Sequence, residues 1–433
     1  MVEARAVPPQ AALRTRSGLG SLSTYERSLR EAPAARARPL ERVARGLLDR
    51  ALAHLEAGAL EVVLPDGSAR RFGAGRPVRV TIESPNLFRR LATRGKLALG
   101  ESYTAGEWRA DDLVAFFELL LRNADAAAAR HPTLLRVLAA RPRLRTRNGL
   151  RRSRRNIAYH YDLGNDLFAL FLDETMTYSC AVFERPGEPL EEAQRTKYRR
   201  ICEHLRLSPA DRVLEIGCGW GGFAIQAAKE YGARVTGLTI SASQAELARR
   251  RVAEAGVSDL VEIVLADYRE HRGSYTKVAS IEMLEAIGER QYATFFATCD
   301  RLLEPGGIAC IQTILVPDQR WDRYRRTPDW IERYLFPGCL IPSLTALTRA
   351  TTQASRLMVH EVDEIGVHYA ETLRRWRARF HERLDDVRRL GYDERFVRTW
   401  DFYLAYCEAA FRVRSLRDVQ LVLTRPFNEA LAS

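Results

Sequence analysis

From about residue 156 to the end, short apolar runs alternate with stretches whose apolar positions recur every three or four residues. The runs predict strands: DRVLEIGCG (211–219), ARVTGLTIS (233–241), LVEIVLAD (260–267), YTKVASIEM (275–283) and GIACIQTILVP (307–317). The periodic stretches predict helices: WGGFAIQAAKEYG, ASQAELARRRVAEAG, RQYATFFATCDRLLEPGG (ending in a turn), YAETLRRWRARFHERLDDVRRLG and TWDFYLAYCEAAFRVR. This rhythm predicts an α/β domain over 156–433, a doubly wound and mostly parallel sheet. Ligands of such sheets bind outside the carboxyl ends of the strands.

Residues 41–125 have a different pattern and predict a smaller α+β N-terminal domain. A helical stretch, LERVARGLLDRALAHLEAG, comes first. LEVVLPDGSARRF then alternates around Asp66-Gly67, a hairpin signal, and VRVTIESP reads as a further strand. NLFRRLATRGKLALGESYTAGEW reads as a helix followed by a glycine-punctuated turn, and DDLVAFFELLLRNADAA as a closing helix. Residues 1–40 form a polar, Ala/Arg/Pro-rich tail, expected to be disordered and lacking the apolar core of a signal peptide. Residues 126–155 form a basic linker.

Composition narrows the function. The 433 residues carry a formal charge of +12, which calls for an anionic partner, nucleic acid or an acidic membrane surface. The densest basic run, RPRLRTRNGLRRSRRN (141–156), lacks the aromatics with which single-strand binders stack bases. That favours a membrane surface over nucleic acid, with a solvated linker as the bland alternative. Neutralising Arg151, Arg152, Arg154 and Arg155 is expected to weaken binding to anionic vesicles. No apolar run approaches the roughly 20 residues that span a bilayer. The seven cysteines are scattered without a C-x-x-C pair, which argues against a zinc site or disulfide framework and suits a reducing cytoplasm.

The loop VLEIGCGWGG is ambiguous alone. Gly217, Gly219 and Gly222 fit G-x-G-x-x-G, the dinucleotide fingerprint; Glu215, Gly217, Gly219 and Gly221 fit E-x-G-x-G-x-G, the S-adenosylmethionine pattern. A plain turn is the third reading. A nicotinamide site expects an acid about 20 residues on, for the ribose. Here the second strand ends with Thr239 and Ser241, followed by Gln244, and the acid, Asp267, follows the third strand. A dehydrogenase is therefore disfavoured. Further on, VASIEMLEAIG (278–288) places Glu282 and Glu285 three apart where a strand gives way to a helix. They could be a general base, a metal site or a solvated helix start. With no His/Cys cluster beside them, no metal is expected. The residues alone leave the other two readings open.

NIAYHYDLGNDLFALFLDETMTYSCAVF (156–183) closely resembles the signature of the cyclopropane-fatty-acyl-phospholipid synthase family, lipid-modifying methyltransferases. The resemblance continues through LEIGCGWGGFAI, GLTISASQ, EMLEAIG, YLFPGCLIPS, HYAETLRRWRARF and YLAYCEAAFR, almost the whole large domain. GESYTAGEW resembles the N-terminal domain of longer bacterial members. The resemblance implies a Rossmann-like class I methyltransferase fold and transfer of one carbon from S-adenosylmethionine to a cis double bond in a phospholipid acyl chain. It places Tyr178 and Ser179 over the cofactor. Glu215, Gly217, Gly219, Trp220 and Gly221 would lie around its methionine and ribose, Thr239, Ile240 and Gln244 at the ribose, and Asp267, Tyr268 and Arg269 at the adenine. It also implies a bicarbonate whose ligands fall at Cys180, Glu285, Ile314 and Tyr369, and an active-site cysteine at Cys407. With this resemblance Glu282 takes the bland reading, a polar residue at a strand–helix junction, and Glu285 that of a proton-handling group. Two positions depart from the family pattern. Gln312 stands where a bicarbonate-binding His is usual, and Ala286 replaces a second His. Gln can hydrogen-bond an anion but cannot shuttle a proton. With EMLEAIG, these residues resemble the branch that makes 10-methylene and eventually 10-methyl chains, as in tuberculostearic acid biosynthesis.

The chemistry implied leaves a carbocation on the acyl chain, so a dry site with aromatic faces is expected. Tyr161, Phe168, Phe171, Tyr369 and Tyr403 are candidates for that role, each equally a plausible core aromatic. Catalysis is expected from Glu285, Tyr369, Gln312, Cys180 and Cys407. A cyclopropane synthase, a non-catalytic lipid-binding relative and, more weakly, an RNA methyltransferase are the competing readings. No second dinucleotide loop is apparent, so a separate flavin- or nicotinamide-dependent reductase is expected to turn methylene into methyl. The family implies a homodimer or higher assembly, and the inner membrane face from the cytoplasm is the expected location.

Overall fold

Local turn chemistry sets the N-terminal sheet. Gly67 adopts φ +81°, and Asp66 accepts from Ser68 N at 3.0 Å, so β1 (Ala59–Val63) and β2 (Ala69–Gly73) run antiparallel as the hairpin signal predicts. β3 (Pro77–Ile82) lies parallel on the other side of β1, and β4 (Trp108–Ala110) completes the order β2-β1-β3-β4. The structure, a computed structural model, describes residues 45–46, 48–50, 52–130, 164–327 and 329–431. The expected tail, residues 131–155 of the basic linker and Tyr161 lie outside them. The described residues belong to one compact unit.

Where one helix and a turn were expected after β3, there are two helices, α1 (Asn86–Arg94) and α2 (Leu97–Thr104). Gly95 at φ +56° separates them. α3 (Leu113–Arg130) closes this part of the chain.

The large sheet has seven strands in the order β10-β11-β9-β8-β5-β6-β7. The five strands read from the sequence are its parallel part: β5 (Arg212–Ile216), β6 (Arg234–Thr239), β7 (Val261–Leu265), β8 (Tyr275–Ile281) and β9 (Leu303–Leu315). β11 (Arg417–Thr424) runs antiparallel between β9 and the edge strand β10 (Met358–Glu364). Helices cover both faces. Tyr198 and Ile201 of α5 (Leu190–His204), Phe223 of α6 (Gly222–Tyr231) and Ala248 of α7 (Ala242–Glu254) pack on one side with Val213 and Val235. Tyr292, Phe295 and Leu302 of α8 (Glu289–Leu302) and Leu347 of α11 (Leu344–Ala354) pack on the other with Leu214 and Leu421.

Shorter helices, α4 (Asn165–Phe171), α9 (Asp318–Tyr324) and α10 (Trp330–Tyr334), frame the carboxyl ends of the strands. The helix expected over 369–391 is broken at Arg383 into α12 (Tyr369–Glu382) and α13 (Leu384–Arg389). The last helix, α14 (Glu394–Arg412), starts earlier than expected because the Asp393 side chain caps it through Phe396 N. α14 also carries the N-terminal elements: Tyr103 of α2 donates to Asp401 Oδ2 at 2.7 Å, and Arg398 donates to the Trp108 carbonyl at 2.8 Å.

Candidate active site

At the carboxyl ends of the strands a cavity of about 640 Å³ opens. One end is built by the β5–α6 turn. Gly217 (φ +86°) and Gly219 (φ +52°) take left-handed conformations that only glycine adopts without strain. A Cβ on Gly217 would lie 3.0 Å from Met283 Cγ, whereas Gly219 faces open space. Glu215, at the end of β5, is buried with Oε2 unpartnered among the described residues. Burial pushes its carboxyl up to about 8, against the pull of Lys197 and the Ala224 N–H. Trp220 donates to Asn165 Oδ1 at 2.8 Å. Gly221 does not line the cavity; it caps α6 at φ +83° and lies against Ala248.

Next come the ends of β6 and β7. Thr239 donates to Gln244 Oε1 at 2.9 Å, and Ile240 lines the wall beside them. Asp267 is buried and accepts from Arg269 Nε and Nη2 at 2.8 and 2.6 Å. Tyr268 stacks edge-on against Phe295, and its hydroxyl has no partner among the described residues. Across the cavity Tyr178 donates to or accepts from Tyr403 at 2.9 Å, and Ser179 Oγ accepts from Lys197 Nζ at 2.8 Å. Lys197 is fully buried, which pulls its ammonium down to about 8.

The far end holds acids. Glu285 sits in the single turn Leu284–Ala286, its carbonyl held by Leu340 N at 2.7 Å. Its Oε1 accepts from Thr313 Oγ1 at 2.8 Å and Ile314 N at 2.5 Å, while Oε2 is buried without a partner among the described residues. Burial, then the nearby Glu282 charge, pushes it up to about 8. Glu282 contradicts its bland reading. It is no solvated helix residue: at φ +48° it lines the cavity and gathers donors. Oε1 accepts from Cys180 N at 2.8 Å and Gln312 Nε2 at 2.9 Å; Oε2 accepts from the Tyr369 hydroxyl at 2.6 Å.

Two of the expected catalytic residues do not reach the cavity. Gln312 is fully buried behind Glu282, donating also to Asp418 Oδ2 at 3.1 Å and accepting from Gln420 at 3.1 Å. Cys180 is likewise enclosed, its Sγ 3.2 Å from the Ala181 carbonyl. Cys407 lines the cavity, and burial raises both thiols, so neither is a thiolate near neutral pH. Phe168 and Phe171 are core residues packed around Trp400 and Tyr178, whereas Tyr369 and Tyr403 face the cavity with Tyr406 and Phe411. Asp418, Gln420 and Lys197 are the polar residues that sequence reasoning missed. Asp418 and Gln420 fall two apart on one face of a buried strand, and that breach of an apolar run is the signal that could have found them.

The geometry meets its decisive comparison here. The profile of the mycolic acid cyclopropane synthetase family matches residues 148–421, more than half of the chain. The chain belongs to that family. It is 42% identical over 392 residues to the tuberculostearic acid methyltransferase UfaA1 of Mycobacterium tuberculosis, covering 88% of this chain and 91% of that one. It is 36% identical over 355 residues to the cyclopropane-fatty-acyl-phospholipid synthase of Escherichia coli, covering 82% and 90%. The mycolic acid cyclopropane synthase CmaA1, solved in complex with SAH and CTAB, superposes with a TM-score of 0.58 at 31% identity over 62% of this chain and 97% of that one.

This synthetase-family chain therefore has the class I methyltransferase fold and is an S-adenosylmethionine-dependent enzyme of methylation or cyclopropanation on unsaturated fatty acyl chains. Its residues fit that cofactor. The glycine turn leaves room for close backbone approach, and Glu215 Oε2 and the Tyr268 hydroxyl are polar atoms left without partners among the described residues.

Proposed function

We propose that the protein methylates the cis double bond of an oleoyl-like chain in a membrane phospholipid and releases a 10-methylene acyl chain. The observation that carries the proposal is the continuity of the cavity. The glycine turn, the acids and an apolar chamber with Ile331, Phe336, Ile341 and Leu373 share one space. Bound S-adenosylmethionine supplies an electrophilic methyl there. The protein's part is to hold the alkene in line with that methyl, within about 3–3.5 Å, and to keep water out. The rings of Tyr369, Tyr403 and Phe411 line the space where positive charge develops and offer it their negative faces.

Support for a methylene product comes from the 42% identity to a tuberculostearic acid methyltransferase and from Gln312, an amide in place of an imidazole. The second reading is a cyclopropane, favoured by the 36% identity to the Escherichia coli synthase. The two differ in the fate of one proton. The test is transfer from methyl-13C-labelled S-adenosylmethionine to dioleoyl phospholipid vesicles, read by carbon NMR. Label in an sp2 methylene carbon is expected; label in an sp3 ring carbon would establish the cyclopropane instead.

The proposal extends to partners. Exposed Lys96 and Arg323, with Arg320, stand at the cavity rim and suit an anionic phospholipid surface at the inner face of the membrane. Among the described residues no helix is long and apolar enough to cross a membrane. A separate reductase acts on the methylene product, and the enzyme works as a homodimer or higher assembly.

A further inference from the structure

The resemblance assigns a bicarbonate to the donors of Cys180, Ile314 and Tyr369, with Glu285 beside it. In this structure those donors are taken by the chain itself. The Cys180 N–H and the Tyr369 hydroxyl point at Glu282, at 2.8 and 2.6 Å, and Ile314 N points at Glu285 at 2.5 Å. Gln312, in place of the expected His, also donates to Glu282. A bicarbonate would have to displace one carboxylate and then lie against the other. The residues present do not fit the anion.

We propose that Glu282 is the proton acceptor of the reaction, a side-chain carboxylate standing where a diffusible bicarbonate would otherwise be needed. The proposal rests on reading the cavity as the site of one-carbon transfer. Three observations support it. First, Glu282 is held in left-handed backbone at φ +48°, a conformation that costs a non-glycine residue about 1–2 kcal/mol, at the point where three donors converge. Second, Asp418 is fully buried behind it, raised well above the carboxylate range by burial and by the Glu282 charge. Gln312 Nε2 bridges the two acids, donating to Glu282 Oε1 at 2.9 Å and to Asp418 Oδ2 at 3.1 Å, and burial pushes Glu282 up as well, which makes it the stronger base when ionised. Third, Lys197 adds a buried positive charge to the same network.

The step balances without any further reagent. Methyl transfer leaves one positive charge on the acyl chain. A 1,2-hydride shift moves that charge to the carbon bearing the new methyl. A C–H bond of that methyl then breaks, its electron pair becomes the second bond of the methylene, and the proton leaves. The Tyr369 hydroxyl takes this proton as its own passes to Glu282 Oε2, and Glu282 ends as a carboxylic acid. Nothing is oxidised or reduced.

The experiment uses the full chain with dioleoyl phosphatidylglycerol vesicles in buffer stripped of carbon dioxide, with and without added bicarbonate. Wild-type turnover is expected to be independent of bicarbonate, and 13C-bicarbonate is expected to show no bound signal with the protein. Glu282→Gln keeps the shape but cannot accept a proton, and should lose about 10²–10⁴-fold in turnover while still binding S-adenosylhomocysteine. Glu282→Gly relaxes the positive-φ backbone and opens the anion's place, so added bicarbonate or formate should restore its turnover. A wild type that transfers label only with bicarbonate, or a folded Glu282→Gln as fast as wild type, would overturn the role of Glu282. A wild type that transfers no label to lipid under any of these conditions would count against the one-carbon-transfer reading, and this role with it.

Discussion

Burial makes individual carboxyls in this cavity behave unlike their free counterparts. Glu215 is held up to about 8 in the folded chain, against about 4.3 for an unperturbed glutamate. Between those values the folded state keeps a proton that the unfolded state has lost. Its contribution to stability is therefore greatest below about pH 4.3 and is lost as pH rises toward 8. Glu215→Gln removes that dependence and still accepts from the Ala224 N–H. Its melting temperature without cofactor should exceed that of wild type by a margin that widens between about pH 5 and pH 8. A constant margin in thermal melts across that range would mean that Glu215 is ionised in the folded protein. At this scale the sequence was only half legible. Glu285 was recognisable from its motif. The importance of Glu282 depends on a backbone torsion and on Tyr369, Gln312 and Asp418, which lie 87, 30 and 136 positions away in sequence yet converge on it or, for Asp418, back it.

Among the elements, the β5–α6 turn is the most constrained. Gly217→Ala adds a Cβ 3.0 Å from Met283 Cγ at φ +86°. The strain should cost about 1–2 kcal/mol of stability and, by shifting the turn, weaken S-adenosylhomocysteine binding at least tenfold. Calorimetric titration giving wild-type affinity would show that the turn tolerates the methyl. The parallel strands and the helices between them were legible because each alternates cleanly with its neighbours. β10 and β11 were not. β10 is an edge strand, largely exposed, with the mixed sequence MVHEVDE. β11 interrupts its apolar run with Asp418 and Gln420, whose reason for being there lies on β9 and in Glu282. The helix and turn expected over 86–108 resolved into two helices because Gly95 breaks the first. The packing of Gly100 against the Trp330 ring, 230 residues on, could not be read from local pattern.

Across the whole molecule, α14 joins the N-terminal elements to the methyltransferase sheet. Asp401 is the hub: it accepts from Tyr103 at 2.7 Å, Arg377 at 2.7 Å and His381 at 2.8 Å. These partners hold its carboxyl down to about 2 despite burial. The group thus adds stability above about pH 3.9 that is lost as pH falls through 2. Asp401→Ala leaves Arg377 and the Tyr103 hydroxyl without their carboxylate and should cost about 3–5 kcal/mol in urea unfolding at neutral pH. A loss below about 1 kcal/mol would place the joint elsewhere, in the aromatic contacts of Tyr103 and Phe402. The N-terminal elements also put Lys96, Leu121 and Ala124 into the cavity wall, so loosening this joint should raise KM for vesicles as well.

The place of β11 has a consequence for how the enzyme is made. It is synthesised after every other strand of its sheet, yet it inserts between β9 and β10, both already present. A nascent chain can fold the parallel strands and the glycine turn before the segment bearing Asp418 leaves the ribosome. Until β11 slots in, Gln312 lacks Asp418 and Gln420, the two partners that hold it behind Glu282, so this wall of the cavity is the last to be completed.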